Sequence, residues 1–231
     1  KKCANTLGVP HVLETYDPEI HKFILNKIEL EVPETNYVYS RIGDKVVLTG
    51  LKDSNYYENL KDTQIELDLT YGINGNPIGE IGDYSFNNVR GINKITLTNV
   101  KKIGQGAFSN SYELSTVVAN EALCIDDYAF SSCISLSAFE LPNGLTSVGA
   151  YAFENCQSLN GIIIPNSVVN LGEGAFKHCE NLASVCLSNN LIIIEDRLFE
   201  QCNSLKTVVL PLSISEIGDG AFLGCEGLQT V

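Results

Sequence analysis

Apolar and polar positions along this chain alternate in a pattern that keeps returning. Phenylalanine stands at Phe86, Phe108, Phe130, Phe153, Phe176, Phe199 and Phe222, at spacings of 22, 22, 23, 23, 23 and 23 residues. Each closes the same short phrase: IGDYSF at 81–86, then IGQGAF, IDDYAF, VGAYAF, LGEGAF, IEDRLF and IGDGAF. A fixed period of roughly 20 to 30 residues predicts a solenoid, whose units bury their apolar side only by stacking on one another.

One period, from Phe199 to Phe222, shows what each unit contains. Val208, Val209 and Leu210 alternate, so Val208 and Leu210 face one way and Val209 the other. Pro211 ends that strand, because it has no N–H for a ladder and its ring fixes φ. Ile214 and Ile217 begin a second short piece, Gly218 permits a corner, and Ala221, Phe222 and Cys225 suit one helical turn against the core. Leu159, Ile162 and Ile164 before Pro165 repeat the pattern, as do Leu136, Phe139 and Leu141 before Pro142. Leu182, Val185 and Leu187 repeat it without the proline. Stacked coils place equivalent strands about 4.8 Å apart in a parallel sheet. The expected fold is an α/β repeat solenoid, a β-rich horseshoe with short helical turns and seven registered repeats.

The phrase IG..AF..C..L..V.LP, present as IGDGAFLGCEGLQTV and VGAYAFENCQSLNGIIIP, resembles the BspA-like leucine-rich repeat. The resemblance covers roughly residues 81–231, with a weaker echo before them. That family occurs on surface and secreted proteins of anaerobic bacteria and on some protozoan parasites. The resemblance implies an extracellular or cell-surface location and adhesion or partner binding, with no catalysis. It names no ligand.

Residues 1–80 read differently. Asp17-Pro18-Glu19 has the form of a helix start, followed by Ile20, Phe23, Ile24 and Ile28, and predicts a helix over 18–28. Lys45–Leu51 and Gln64–Thr70 read as strands, the second with Ile65, Leu67 and Leu69 alternating with polar residues. The expected division is an N-terminal cap at 1–63, with one helix and a strand, and a solenoid at 64–231, regular from 81. The last residue, Val231, falls partway into a strand by analogy with Val208, which reads as a boundary cut through a repeat.

The net charge is −13, shared as −5 over residues 1–80 (8 basic, 13 acidic) and −8 over 81–231 (7 basic, 15 acidic). So acidic a chain is a poor partner for nucleic acid or anionic lipid, both of which demand basic patches. No run of 18 apolar residues is present to insert in a membrane.

Candidate chemistry is sparse. Cys133, Cys156, Cys179, Cys202 and Cys225 each follow a Phe by three residues and read as a column of buried thiols. Disulfides along such a column would have the wrong dihedral, and a linear ladder does not converge on a metal. Cys3, Cys124 and Cys186 fit no pattern. Acids at the third position of the phrase (Asp83, Asp127, Glu173, Asp196, Asp219) read as caps of the helical turns, in preference to a calcium ladder. His11, His21 and His178 are scattered, and no nucleophile–base–orienter set can be assembled. The expectation is a non-enzymatic chain with no cofactor and no metal.

The candidate binding surface is therefore the outward face of the regular strand. Its central column is Thr96, Val118, Glu140, Ile163, Cys186 and Val209, beside a column containing Thr116 and Thr207. Four apolar residues among the six central positions is unusual for a face left in water. A protein partner, such as a host matrix or cell-surface component, explains the strip; an extension folded over it explains it equally well. Two further readings stay open: a glycan site on the N-terminal tyrosines Tyr16, Tyr37, Tyr39, Tyr56, Tyr57 and Tyr71, and a structural spacer that self-assembles.

Overall fold

The computed structural model describes residues 22–25, 28–31, 37–42, 45–51, 65–70 and 76–230. The first described segments are two antiparallel hairpins, β1 (Lys22–Leu25) with β2 (Ile28–Glu31), and β3 (Tyr37–Ile42) with β4 (Lys45–Leu51). The chain then alternates between two faces of a coil. One face carries β5 (Ile65–Asp68), β7 (Ile92–Thr96), β9 (Thr116–Val118), β11 (Ala138–Phe139), β13 (Gly161–Ile163), β15 (Ser184–Cys186) and β17 (Thr207–Val208). The other carries β6 (Ile78–Ile81), β8 (Lys102–Ile103), β10 (Cys124–Ile125), β12 (Ser147–Val148), β14 (Asn170–Leu171), β16 (Ile193–Ile194) and β18 (Glu216–Ile217).

Each strand pairs in parallel with its counterpart one period away, as in Lys94↔Thr116 and Ile95↔Val117. At the N-terminal edge the hairpins join these sheets: β1 pairs antiparallel with β5, and β4 pairs in parallel with β6. The helix expected over 18–28 is corrected where it can be seen, since 22–25 and 28–31 are strands. Ile28-Glu29-Leu30-Glu31 has a period of two, and Phe23 sits in register with Leu67 of the first solenoid strand. Pairing to an open sheet edge overrides a helical start signal, as tertiary context commonly overrides propensity. Residues 18–21 lie outside those described. The strand expected at Lys45–Leu51 has those bounds, and the one at Gln64–Thr70 is described at Ile65–Asp68.

The interior is a stack of repeated side chains. Phe86, Phe108, Phe130, Phe153, Phe176 and Phe199 are wholly buried, and successive rings lie face to face at 5.3–5.9 Å, between 2° and 16° from parallel. Each such burial contributes about 1.5–3 kcal/mol before the cost of ordering the chain. Val117, Phe139, Ile162 and Val208 form a second buried column, contributed by alternate positions of the short strands.

The corners hold no helix; among the described residues there is none. The short helical turns expected there are replaced by a different hydrogen-bond scheme. Residues two before and two after each Phe have left-handed φ, as at Tyr84 (55°) and Asn88 (57°), or Tyr151 (55°) and Asn155 (58°). Two left-handed residues four apart interrupt the run of right-handed φ that a helix needs. Around Phe108 the N–H groups of Gly106, Phe108 and Asn110 donate to Asp127, Ala129 and Ser131 of the next coil. The intervening N–H groups, of Ala107, Ser109 and Ser111, donate three residues back. The corner is thus a third ladder binding coil to coil.

The acids of the phrase serve that same stacking. Oδ1 of Asp83, Asp127 and Asp196 accepts the N–H of Gln105, Ala150 and Asp219, one coil on, at 2.7–2.9 Å. They bridge coils, and do not cap a turn of their own. Coils approach so closely here that a Cβ at Gly149 would lie 2.4 Å from the backbone nitrogen of Asp127.

Candidate functional site

Alternation along β7, β9, β13, β15 and β17 sends one set of side chains inward and leaves the other facing out. Thr96, Thr116 and Val118 are half-buried, whereas Glu140, Ile163, Cys186, Thr207 and Val209 are exposed. Ile163 is 71% exposed and Val209 76%, values unusual for aliphatic side chains. Parallel pairing sets Thr96 beside Val118, Ile163 beside Cys186, and Ser184 beside Thr207. Glu140 and Val209 stand one residue beyond the ends of their strands.

The face is not continuous. One sheet ends at β11 and a second, of three strands, begins at β13. In neighbouring coils the residue closing the strand donates its N–H to the central position of the next coil: Leu69 to Thr96, Leu97 to Val118, and Ile164 to Cys186. Ala119 and Leu141, at the equivalent positions, make no such bond, so the ladder is open on both sides of Glu140; Leu187 makes none to Val209 either.

At this break the inward column holds Phe139. It occupies the inward position that Ile95, Val117, Ile162 and Val208 fill elsewhere, and its larger ring stands edge-on to Phe130 and Phe153. The centroid separations are 5.2 and 5.6 Å, with the planes at 70° and 61°. A ring set crosswise between two stacked rings needs more room than an aliphatic side chain.

Here a groove of about 680 Å3 lies on the outward face. Phe139, Glu140 and Leu141 line one side, and Ile163, Pro165 and Cys186 the other. Glu140, Ile163 and Cys186 of the candidate column are thereby brought together. Thr96, Thr116 and Val118 lie on the strands before the groove, and Thr207 and Val209 beyond it. Glu140 makes no ion pair among the described residues, while Lys94, on the same face, is held by Glu66 at 2.9 Å.

The five periodic cysteines are a packing device. Each sulfur donates to the carbonyl of the Phe one coil back, 25 or 26 residues earlier, from Cys133 to Phe108 through Cys225 to Phe199, at 3.0–3.3 Å. Burial pushes the Cys179 thiol up to about 12 and raises those of Cys133, Cys156 and Cys202 as well. Cys186 alone among the described cysteines is exposed. Among those residues no cluster of three or more His, Cys, Asp or Glu could hold a metal ion. Nor is any described helix long and apolar enough to cross a membrane.

A feature missed from the sequence lies on the corner. Tyr84, Tyr128 and Tyr151 occupy equivalent positions two before Phe. Tyr128 and Tyr151 stack at 5.2 Å, and the Tyr151 hydroxyl donates to Glu173, which Arg197 also approaches at 3.4 Å. The signal was present as DYSF, DYAF and AYAF within the repeated phrase. Of the N-terminal tyrosines, Tyr16, Tyr56, Tyr57 and Tyr71 lie outside the described residues, as do the side chains of Tyr37 and Tyr39.

Similarity to known proteins agrees with this architecture. The family model of the BspA type leucine-rich repeat region matches residues 56–124 and 123–231, in six copies. The crystal structure of a leucine-rich repeat protein from T. pallidum superposes with a TM-score of 0.78 at 30% identity, covering 87% of this chain and 91% of that one. One from Bacteroides ovatus gives 0.73 at 28% identity over 84% of this chain, which spans about half (51%) of that protein. No curated protein matches the sequence.

Proposed function

The chain belongs to the BspA-type leucine-rich repeat family, and on that premise we propose that it is a non-catalytic, extracellular or cell-surface module that binds a protein through the outward face of β7, β9, β11, β13, β15 and β17. The observation that carries this reading is the exposure of Ile163 and Val209 in the central column of this face. Exposed aliphatic groups in a row favour a partner that removes them from water, at about 25 cal/mol per Å2. The fold supports the reading, since a solenoid holds such a row rigid at no further cost in chain entropy.

The test uses immobilised protein against a panel of purified matrix and cell-surface proteins, beside a variant carrying Val118→Glu, Ile163→Glu and Val209→Glu. Retention by the wild type and loss in the variant, with an unchanged circular dichroism spectrum, is the expected result. Equal retention by both removes this face from consideration.

A second reading is favoured by the tyrosine column. Tyr84 is 54% exposed and Tyr128 is also exposed, so aromatic surface suited to a sugar ring is present at the corner. Tyr84→Ala with Tyr128→Ala then weakens retention on polysaccharide resin and leaves protein binding intact; unchanged retention removes it.

A further inference from the structure

We propose that the groove between β11 and β13 is an anchor site for a basic, extended peptide segment of the partner, taking one large apolar side chain into the groove and a Lys or Arg onto Glu140. This rests on the outward face being the binding surface, and it adds where on that face recognition is centred and what chemistry it selects.

Three observations converge. The groove lies at the break between the two sheets of this face, where β11 and β13 are not paired and a side chain can penetrate. Its volume of about 680 Å3 falls within the range of sites that enclose ligands. Its walls are apolar at Leu141, Ile163 and Pro165, with Glu140 at the rim.

Charge then decides the class of occupant. Glu140 is the single charged residue of the column Thr96, Val118, Glu140, Ile163, Cys186, Val209. It has no cationic partner among the described residues, although Lys94 on this face is neutralised by Glu66. The chain carries −13 overall, so an acidic partner is repelled and a cationic one is drawn in. A sugar would need an aromatic face at the groove, and the ring of Phe139 is 95% buried beneath it. An extended peptide supplies both required groups from alternate residues.

The experiment selects random dodecapeptides displayed on phage against the whole chain and against Glu140→Gln and Val209→Glu, with sequencing of the enriched pools. Peptides enriched on the wild type are expected to pair a Lys or Arg with a nearby large apolar residue. On Glu140→Gln the basic preference falls about tenfold while the apolar preference stays, the size of effect expected for one ion pair at a partly desolvated site. A synthetic copy of the leading peptide is then expected to slow alkylation of Cys186 by N-ethylmaleimide about fivefold or more, as occupancy of the groove hides that sulfur.

No enrichment, enrichment without basic residues, the same preference on Glu140→Gln, or an unprotected Cys186 each overturns the proposal. Peptides that respond to Val209→Glu but not to Glu140→Gln would leave the face standing and remove the groove. Peptides indifferent to both variants would remove both.

Discussion

The ring of Tyr151 fills the space in which a side chain at Gly174 would begin: a Cβ there would lie 2.4 Å from Tyr151 Cε1. Gly174 also has φ of +57°. The ring cannot swing away freely, because it stacks on Tyr128 and its hydroxyl is held by Glu173. Gly220 has the same backbone conformation (+65°), but a Cβ there would meet nothing closer than 3.7 Å. Gly220→Ala is therefore expected to cost about 1 kcal/mol, the backbone term alone. Gly174→Ala should cost about 2–3 kcal/mol, with the displaced ring added. Urea midpoints of the two variants separate the contributions, and equal losses would show that the ring is not fixed.

The buried thiols give a pH dependence of known sign. An ordinary thiol ionises near 9.0, whereas burial raises Cys133, Cys156, Cys179 and Cys202 in the folded chain, Cys179 to about 12. Below about pH 9 both states hold these protons and the thiols leave stability independent of pH. Between about 9 and 12 the unfolded chain releases protons that the folded chain keeps, so stability falls by at most about 1.4 kcal/mol per pH unit for each thiol. Ser111 marks the control, since its hydroxyl donates to Phe86 O at 2.9 Å where later coils use a cysteine. Cys156→Ser should keep the bond to Phe130 O and flatten the alkaline limb. An unchanged limb, followed by urea unfolding at pH 8, 9 and 10, would mean other groups set it.

The inter-coil aspartates make a sharper distinction than caps would. Asp127 Oδ1 accepts the Ala150 N–H at 2.7 Å. Asp127→Asn retains an acceptor oxygen and should shift stability by less than about 0.5 kcal/mol, whereas Asp127→Ala leaves that N–H without its partner and should cost about 1–2 kcal/mol. Hydrogen exchange at the Ala150 amide checks the assignment, with faster exchange expected in the alanine variant only.

The repeat, its parallel strands and the phenylalanine and cysteine columns could be read from sequence because each residue recurs at a fixed spacing with the same apolar character. A stacked lattice makes such recurrences additive. The corners were misread because Ala221, Phe222 and Cys225 have the spacing of a helical turn, while the left-handed residues between them carry no single residue type: Tyr84, Gly106, Arg197 and His178 all adopt that conformation. The helix expected over 18–28 gives way to strand at 22–25 and 28 for a related reason, since a local helix signal does not register an unpaired sheet edge arriving from residue 65. The outward columns followed from alternation, but the groove did not. It lies beside an inward ring set crosswise to its neighbours, at a break between sheets, and period and polarity encode neither.

Phe139, which carries that ring, also provides a test of how the groove arises. Phe139→Ile places in the inward column the side chain already found at Ile95 and Ile162. Two effects then oppose each other. Removing the ring forfeits its edge contacts with Phe130 and Phe153, at about 1–3 kcal/mol. Removing the wedge lets β11 and β13 approach, so that the Leu141 N–H can reach the carbonyl of Ile163 as Ile164 reaches Cys186. The expected outcome is a lower urea midpoint together with slower hydrogen exchange at the Leu141 amide. A lower midpoint with unchanged exchange at Leu141 would show that the ring stabilises this coil without holding the sheet open. The cause of the groove would then lie in the turn from Leu141 to Leu145, which is one residue longer than the turn from Ala119 to Ala122.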